Sequence, residues 1–278
     1  MPDLVPLVFE GRPARLIVQG PAGRAAPQGA QPVLLLAPYP LHGAGYQSLL
    51  AACAAAGFRA AALDAPGFGG TPARGVPLQM DDLARLAAAA LDALGAPRAV
   101  LVGCSMGGYA AMAFGRLFPE RLAAWCLMNT KAGPDTAEQQ AAREAGAKLS
   151  LASGASAAIL PQLPKLVAPG LAESDPALWQ KLLSLTAGAT AQGVADALRG
   201  LALRPDAAPG LQEVRVPALV IAGELDQLMP RPAMEALAAA IPSARFEVVA
   251  GAGHYAFLER PAAVEALVTR FLRGLRLA

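Results

Sequence analysis

Six short, mostly apolar runs punctuate this chain: Val33–Ala37, Phe58–Leu63, Ala99–Val102, Leu122–Met128, Ala218–Ala222 and Arg245–Val249. Between most of them lie stretches with helical periodicity: Tyr46–Ala56, Met80–Leu94, Met106–Phe118, Pro232–Ala240 and, after the last, Ala262–Leu272. Strands separated by helices pair in parallel through right-handed crossovers, and the crossover helices cover both faces of the sheet. Two further runs at the start, Leu4–Phe9 and Ala14–Gln19, are joined by Glu10-Gly11-Arg12-Pro13 and predict an antiparallel hairpin. A proline- and glycine-rich loop follows the hairpin. The expectation is an α/β fold with a mostly parallel eight-stranded sheet and helices on both faces.

One interval breaks the rhythm. From Lys131 to about Ala208 no strand-like run occurs, only helical patches at Thr136–Leu151, Ser156–Leu160, Ala177–Leu185 and Thr190–Leu203. An insertion of that length is too long for an ordinary connection, and such insertions usually sit over a site. Residues 131–208 are therefore expected to form a helical lid after the sixth strand, on a core made of 1–130 and 209–278.

Composition excludes several function classes. Hydrophobic residues make up 55% and charged residues 16%, against a usual charged share of about 25%, so a disordered chain is excluded. The formal net charge of +2 offers no field for nucleic acid. Mean hydropathy is high, +0.40. Yet the longest uncharged run, Ala99–Gly115, is short of the ~20 residues of a spanning helix and is interrupted by Gly103, Ser105, Gly107 and Gly108. Cys53, Cys104 and Cys126 form neither a disulfide framework nor a zinc pattern. Met1–Gly20 carries charges and no signal-peptide stretch, so a cytoplasmic protein without a membrane span is predicted.

The sharpest chemical signal is Gly103-Cys104-Ser105-Met106-Gly107-Gly108, between a predicted strand and a predicted helix. A nucleophilic serine on such a turn has a strained backbone and needs small residues two positions either side. The helix that starts after Ser105 aims free N–H groups where an oxyanion would form. The serine needs a base, and the chain has two histidines. His42 and His254 both follow strands, at the sheet edge where α/β sites assemble. Asp226, after strand Ala218–Ala222, supplies the carboxylate that would orient an imidazole, and Ser105, Asp226 and His254 then follow one another in chain order, each behind a strand. Glu224 is the local rival, with its side chain expected to point away if Asp226 faces inward. Gly67-Phe68-Gly69-Gly70 has Pro72 where a dinucleotide fingerprint needs its third glycine, so no nucleotide cofactor is expected. Two distant histidines predict no metal site. Cys104 reads as a buried, inert neighbour of the nucleophile.

These motifs resemble the α/β-hydrolase superfamily, in its lidded esterase, lactonase and perhydrolase-like branch, over roughly Val33 to Leu272. The elbow is joined by Asp64-Ala65-Pro66-Gly67-Phe68-Gly69-Gly70-Thr71, by Gly223-Glu224-Leu225-Asp226 with Pro230, and by Gly251-Ala252-Gly253-His254 with Glu259-Arg260-Pro261. The resemblance implies an α/β-hydrolase fold and an oxyanion hole made by the N–H groups of Tyr39 and Met106. It departs from the family at Ala37-Pro38, where His-Gly is usual, although Tyr39 keeps its N–H. The expected function is hydrolysis of a small-molecule ester or lactone through an acyl-enzyme on Ser105. A serine nucleophile disfavours the haloalkane dehalogenase and epoxide hydrolase chemistry of the same superfamily. Enol-lactonase or carbon–carbon bond hydrolysis, perhydrolase or haloperoxidase-like activity, and a ligand-binding protein without turnover are the alternatives. An anionic substrate would call for an arginine in the pocket, and Arg143, Arg199 and Arg204 are the insertion's candidates.

Overall fold

The computed structural model describes residues 2–21 and 31–275. The loop expected after the hairpin falls mostly on residues 22–30, outside those described. Strands β1 (Asp3–Phe9) and β2 (Arg12–Gln19) pair antiparallel from Asp3 opposite Val18 to Phe9 opposite Arg12. Their turn places Glu10 and Gly11 at φ of +51° and +72°, the pair of left-handed residues that a tight hairpin with the native strand twist requires.

The alternation then runs β3 (Val33–Leu36), α1 (Gln47–Ala55), β4 (Ala60–Leu63), α2 (Met80–Ala93), β5 (Ala99–Cys104), α3 (Met106–Leu117) and β6 (Leu122–Met128). A helical insertion follows: α4 (Ala137–Ser153), α5 (Ala155–Ile159), α6 (Leu171–Ser174), α7 (Pro176–Thr186), α8 (Ala191–Ala202) and α9 (Ala208–Leu211). The sheet resumes with β7 (Ala218–Gly223), α10 (Arg231–Ala240), β8 (Ala244–Val249), α11 (Ala256–Glu259) and α12 (Pro261–Gly274).

The eight strands form one sheet in the order β1-β2-β4-β3-β5-β6-β7-β8, parallel from β4 onward. Every residue of β3 to β7 is buried, as a sheet covered on both faces demands. The edge strand β8 is half exposed, and its Glu247 pairs with Arg270 of α12 at 2.9 Å. Two expectations shift. The helix read from Tyr46 is preceded by a 3₁₀ turn, Gly43–Tyr46, capped by His42. The strand read from Phe58 begins only at Ala60, because the Phe58 N–H closes onto the Cys53 carbonyl at the end of α1. No helix among the described residues is long and apolar enough to cross a membrane.

The insertion is anchored by backbone-to-backbone contact. A Cβ on Gly193 of α8 would lie 2.3 Å from Gly67 Cα, and one on Gly200 would lie 1.7 Å from the Leu78 carbonyl oxygen. Hydrogen bonds reinforce this seam: Thr190 N–H to the Gly67 carbonyl (2.9 Å), Leu78 N–H to the Asp196 carbonyl (2.9 Å) and Gly75 N–H to the Asp196 carboxylate (2.8 Å).

Candidate active site

Register brings the ends of the central strands to one edge, with Leu36 beside Gly103 and Cys104 beside Met128. Ser105 follows β5 at φ +51° and ψ −115°, a region costly for a residue with a side chain. Several bonds hold it there. Its N–H donates to the Met128 carbonyl (3.0 Å), and its carbonyl accepts from the Gly108 and Tyr109 N–H groups and from the Thr130 hydroxyl. The flanking glycines have no room for a side chain: a Cβ on Gly107 would sit 1.9 Å from the Leu36 carbonyl oxygen, and one on Gly103 2.2 Å from the Gly107 oxygen.

Asp226 leaves β7 and is met on both oxygens. Oδ1 accepts from the N–H groups of Leu228 (2.8 Å) and Met229 (3.1 Å), and Oδ2 from Asn129 Nδ2 (2.7 Å). The same Oδ2 lies 2.8 Å from His254 Nδ1. Burial pushes the Asp226 carboxyl up, but the His254 bond and charge, the Asn129 amide and the Leu228 N–H together hold it below its ordinary value. With Asp226 accepting the hydrogen bond from Nδ1–H, a neutral imidazole presents its lone pair on Nε2. That atom is buried and has no partner.

His254 is fully buried on the loop after β8. The Cys104 thiol donates to its carbonyl at 3.6 Å, so the histidine loop lies against the residue preceding Ser105. Cys104 itself is fully buried, and burial drives its thiol pKa well up. Two backbone N–H groups, that of Met106 at the elbow and that of Tyr39 on the loop after β3, donate to no protein acceptor among the described residues. Tyr39 is held from the other side, its carbonyl accepting from the Tyr255 hydroxyl at 2.8 Å.

The rival groups are engaged elsewhere. Glu224 is exposed and accepts the Gly251 N–H at 2.8 Å. His42 Nδ1 accepts the Ala44 N–H at 3.4 Å, and burial lowers its pKa against the opposing pull of Asp64. Asp64 is itself fully buried and joins two loops, accepting from Gly43 N–H (2.7 Å) and Gly70 N–H (3.0 Å).

Asn129 went unread in the sequence, and Glu259 entered only as part of the histidine-loop motif, with no role given to it. Asn129, at φ +45° just after β6, carries the amide that holds Asp226. A polar residue at the end of a buried apolar strand was its only signal. Glu259, 5% exposed, accepts from the N–H groups of Gly253 (3.0 Å) and Tyr255 (3.1 Å), on either side of His254. It also accepts from Ala168 N–H of the insertion at 2.8 Å. A Cβ on Gly253 would lie 2.2 Å from Ala168 N, so insertion and histidine loop touch through their backbones.

The three candidate arginines separate. Arg199 forms a two-pronged pair with Glu144 (2.9 and 3.0 Å). Arg143 and Arg204 both hold the buried Asp135, at 2.5 and 2.7 Å. Burial pushes the Tyr39 phenol up, with the charge of Arg143 opposing it, and its buried hydroxyl has no partner among the described residues.

A family model described as alpha/beta hydrolase fold matches residues 31–261. The 3-oxoadipate enol-lactonase 2 of Acinetobacter baylyi is 32% identical over 212 residues, which cover 75% of this chain and 78% of that protein. A 2-hydroxy-6-oxononadienedioate/2-hydroxy-6-oxononatrienedioate hydrolase of Burkholderia vietnamiensis is 30% identical over 248 residues, 84% of this chain and 85% of its own. Among solved structures, a thermophilic esterase from Thermogutta terrifontis superposes with a TM-score of 0.89 at 29% identity, covering 99% of each chain.

Proposed function

The chain belongs to the alpha/beta hydrolase fold family, and from that premise we propose that it is a serine hydrolase of small carboxylic esters or lactones. The observation that carries this reading is a strained, half-buried Ser105 next to Cys104, whose thiol touches the histidine loop, together with an Asp226–His254 couple whose Nε2 has no partner among the described residues. In the proposed reaction, Nε2 takes the Ser105 hydroxyl proton as Oγ attacks the carbonyl carbon, while Nδ1–H stays on Asp226. The oxyanion accepts from the Tyr39 and Met106 N–H groups, each such donor being worth about 10²–10³ in rate. Collapse expels the alkoxide, which regains the proton from His254. Water then attacks the acyl-enzyme with the same nitrogen as base. Residues 131–208 act as the lid, with the buried Leu163, Leu182 and Leu185 supporting it from within.

The test is a series of p-nitrophenyl esters of increasing acyl length, with Ser105→Ala alongside. We expect turnover that peaks at one length and falls by about 10⁴-fold or more in the variant. A fluorophosphonate should add its mass to the peptide that contains Ser105. Neither turnover nor adduct with the native chain would overturn the reading.

The second reading, a carboxylate-bearing enol-lactone or diketo-acid substrate, is favoured by Arg143 and Arg204, two guanidiniums of the insertion that share the single carboxylate of Asp135. The enol-lactonase and dienedioate hydrolase names of the relatives fit it. Comparing monomethyl with dimethyl adipate isolates this term: a lower KM for the half-ester supports it, and a preference for the neutral diester removes it.

A further inference from the structure

Three consecutive residues at the end of β6 touch every arm of the candidate site. The Met128 carbonyl accepts the Ser105 N–H, and the Thr130 hydroxyl donates to the Ser105 carbonyl. Between them, the side chain of Asn129 reaches the other two arms. Its Nδ2 donates to Asp226 Oδ2 (2.7 Å) and to the carbonyl of Gly253 (3.4 Å), the residue before His254. Asn129 is fully buried, at a positive φ that asparagine tolerates better than most side chains. The reversed amide would set its oxygen against two acceptors, so the partners fix which end faces Asp226. Oδ1 is left buried without a partner among the described residues, a cost that an apolar side chain would not carry.

A carboxylate has about four lone-pair sites. In Asp226 the Leu228 and Met229 N–H groups occupy those of Oδ1, while His254 Nδ1–H and Asn129 occupy those of Oδ2. Asn129 therefore shares with His254 the one oxygen whose charge would steady an imidazolium. We propose that Asn129 is a positioning residue that sets how strongly Asp226 holds that imidazolium: by sharing Oδ2 it draws off carboxylate charge and leaves no lone pair free to take the Nδ1 proton. The catalytic consequence rests on the hydrolase reading above, and the effect on the couple does not.

The other titratable groups packed around the couple are Cys104, Tyr109, Tyr255 and Glu259. Burial pushes the thiol and both phenols up, Tyr109 to about 12, so all three stay uncharged near neutral pH. Burial also raises the Glu259 carboxyl against its backbone bonds, equally in the native chain and in variants at Asn129.

The chain has two histidines, so a proton NMR titration of the ring resonances, assigned with His42→Gln, follows His254 without any substrate. In Asn129→Leu the midpoint should move up by about half a unit to one unit, because Asp226 then keeps its charge for the imidazolium. If leucine at this positive φ abolishes cooperative melting, Asn129→Gly, which accepts that backbone, decides alone. The acid limb of kcat/KM for the best p-nitrophenyl ester should move by the same amount, with about three- to tenfold lower rates below it. A purely structural Asn129 would instead let Asp226 drift from His254, and the midpoint would move down. A midpoint unchanged or lowered in the decisive variant overturns the proposal, and a raised midpoint with an unmoved acid limb overturns its catalytic part. A native chain without turnover counts against the hydrolase reading alone, since the NMR titration still decides what Asn129 does to the couple.

Discussion

The two halves of the candidate site are built on opposite principles. Around Asp226, both carboxylate oxygens are met by donors from three chain segments. Around Ser105, the backbone is strained, and the N–H groups of Met106 and of Tyr39 after β3 meet no protein acceptor among the described residues. A saturated network fixes geometry, since any movement of Asp226 breaks several bonds at once. An unsaturated one is left with capacity, because its donors are free for an incoming group. On the proposed function, the contrast puts rigidity on the Asp226 side and reactivity on the Ser105 side.

Asp226→Asn attacks the saturated half and carries the largest expected effect. An amide can no longer both accept from Leu228 and Met229 and hold the Nδ1–H tautomer, so kcat should fall about 10⁴-fold with folding retained. Rate measurements paired with thermal melts check both parts. Glu259→Gln is next. An amide offers one acceptor oxygen to donors that now use both carboxylate oxygens, leaving at least one N–H unmet at a cost of about 1–3 kcal/mol. Lowered Tm together with about tenfold slower turnover is expected, and unchanged values would make the Ala168–Glu259–Gly253 junction dispensable.

Ser105→Gly probes the strained half. Relief of the positive φ should make it about 1 kcal/mol more stable than Ser105→Ala, with turnover lost in both. Equal denaturation midpoints would show that no strain is stored at the elbow. The saturated half also predicts a pH dependence. The Asp226 pKa is depressed in the folded state, so its stabilisation is complete above the unfolded value of about 3.9 and is lost as pH falls through the folded value. The Tm gap between the native chain and Asp226→Asn should be widest above about pH 5 and close in stronger acid. Smallest of all, Glu224→Gln keeps an acceptor for the Gly251 N–H, and turnover should stay within about twofold. A large loss there would reopen the choice of acid.

What could be read from the sequence was local. Gly103 and Gly107 crowd Ser105 within five residues, so spacing alone declares the turn. The parallel sheet declares itself in runs such as Val33–Leu36, buried throughout. Asn129 and Glu259 act across the chain instead: the first reaches Asp226 over 97 positions and the second reaches Ala168 over 91. No neighbouring residue announces such a contact. Likewise, Arg143 and Arg204 stand 61 positions apart, and only folding sets them on Asp135 together. Ala60-Ala61-Ala62 has weak strand preference of its own and is a strand because β2 and β3 flank it.

The glycine seam under α8 bears on how such a chain can diversify. Gly193 and Gly200 lie two turns apart on one helix face, each in backbone contact with the loop after β4. A methyl group at any of Gly67, Gly193 or Gly200 would collide with main chain, which cannot swing aside as a side chain can. Gly67 and Gly193 therefore constrain each other, since a side chain on either would strike the backbone of the other. Between Gly154 and Gly188 no comparable interlock with that loop occurs among the glycines. Outside Val167 and Ala168, which touch the histidine loop, that stretch is the replaceable part, where a library of altered sequences could vary the insertion without unseating the frame.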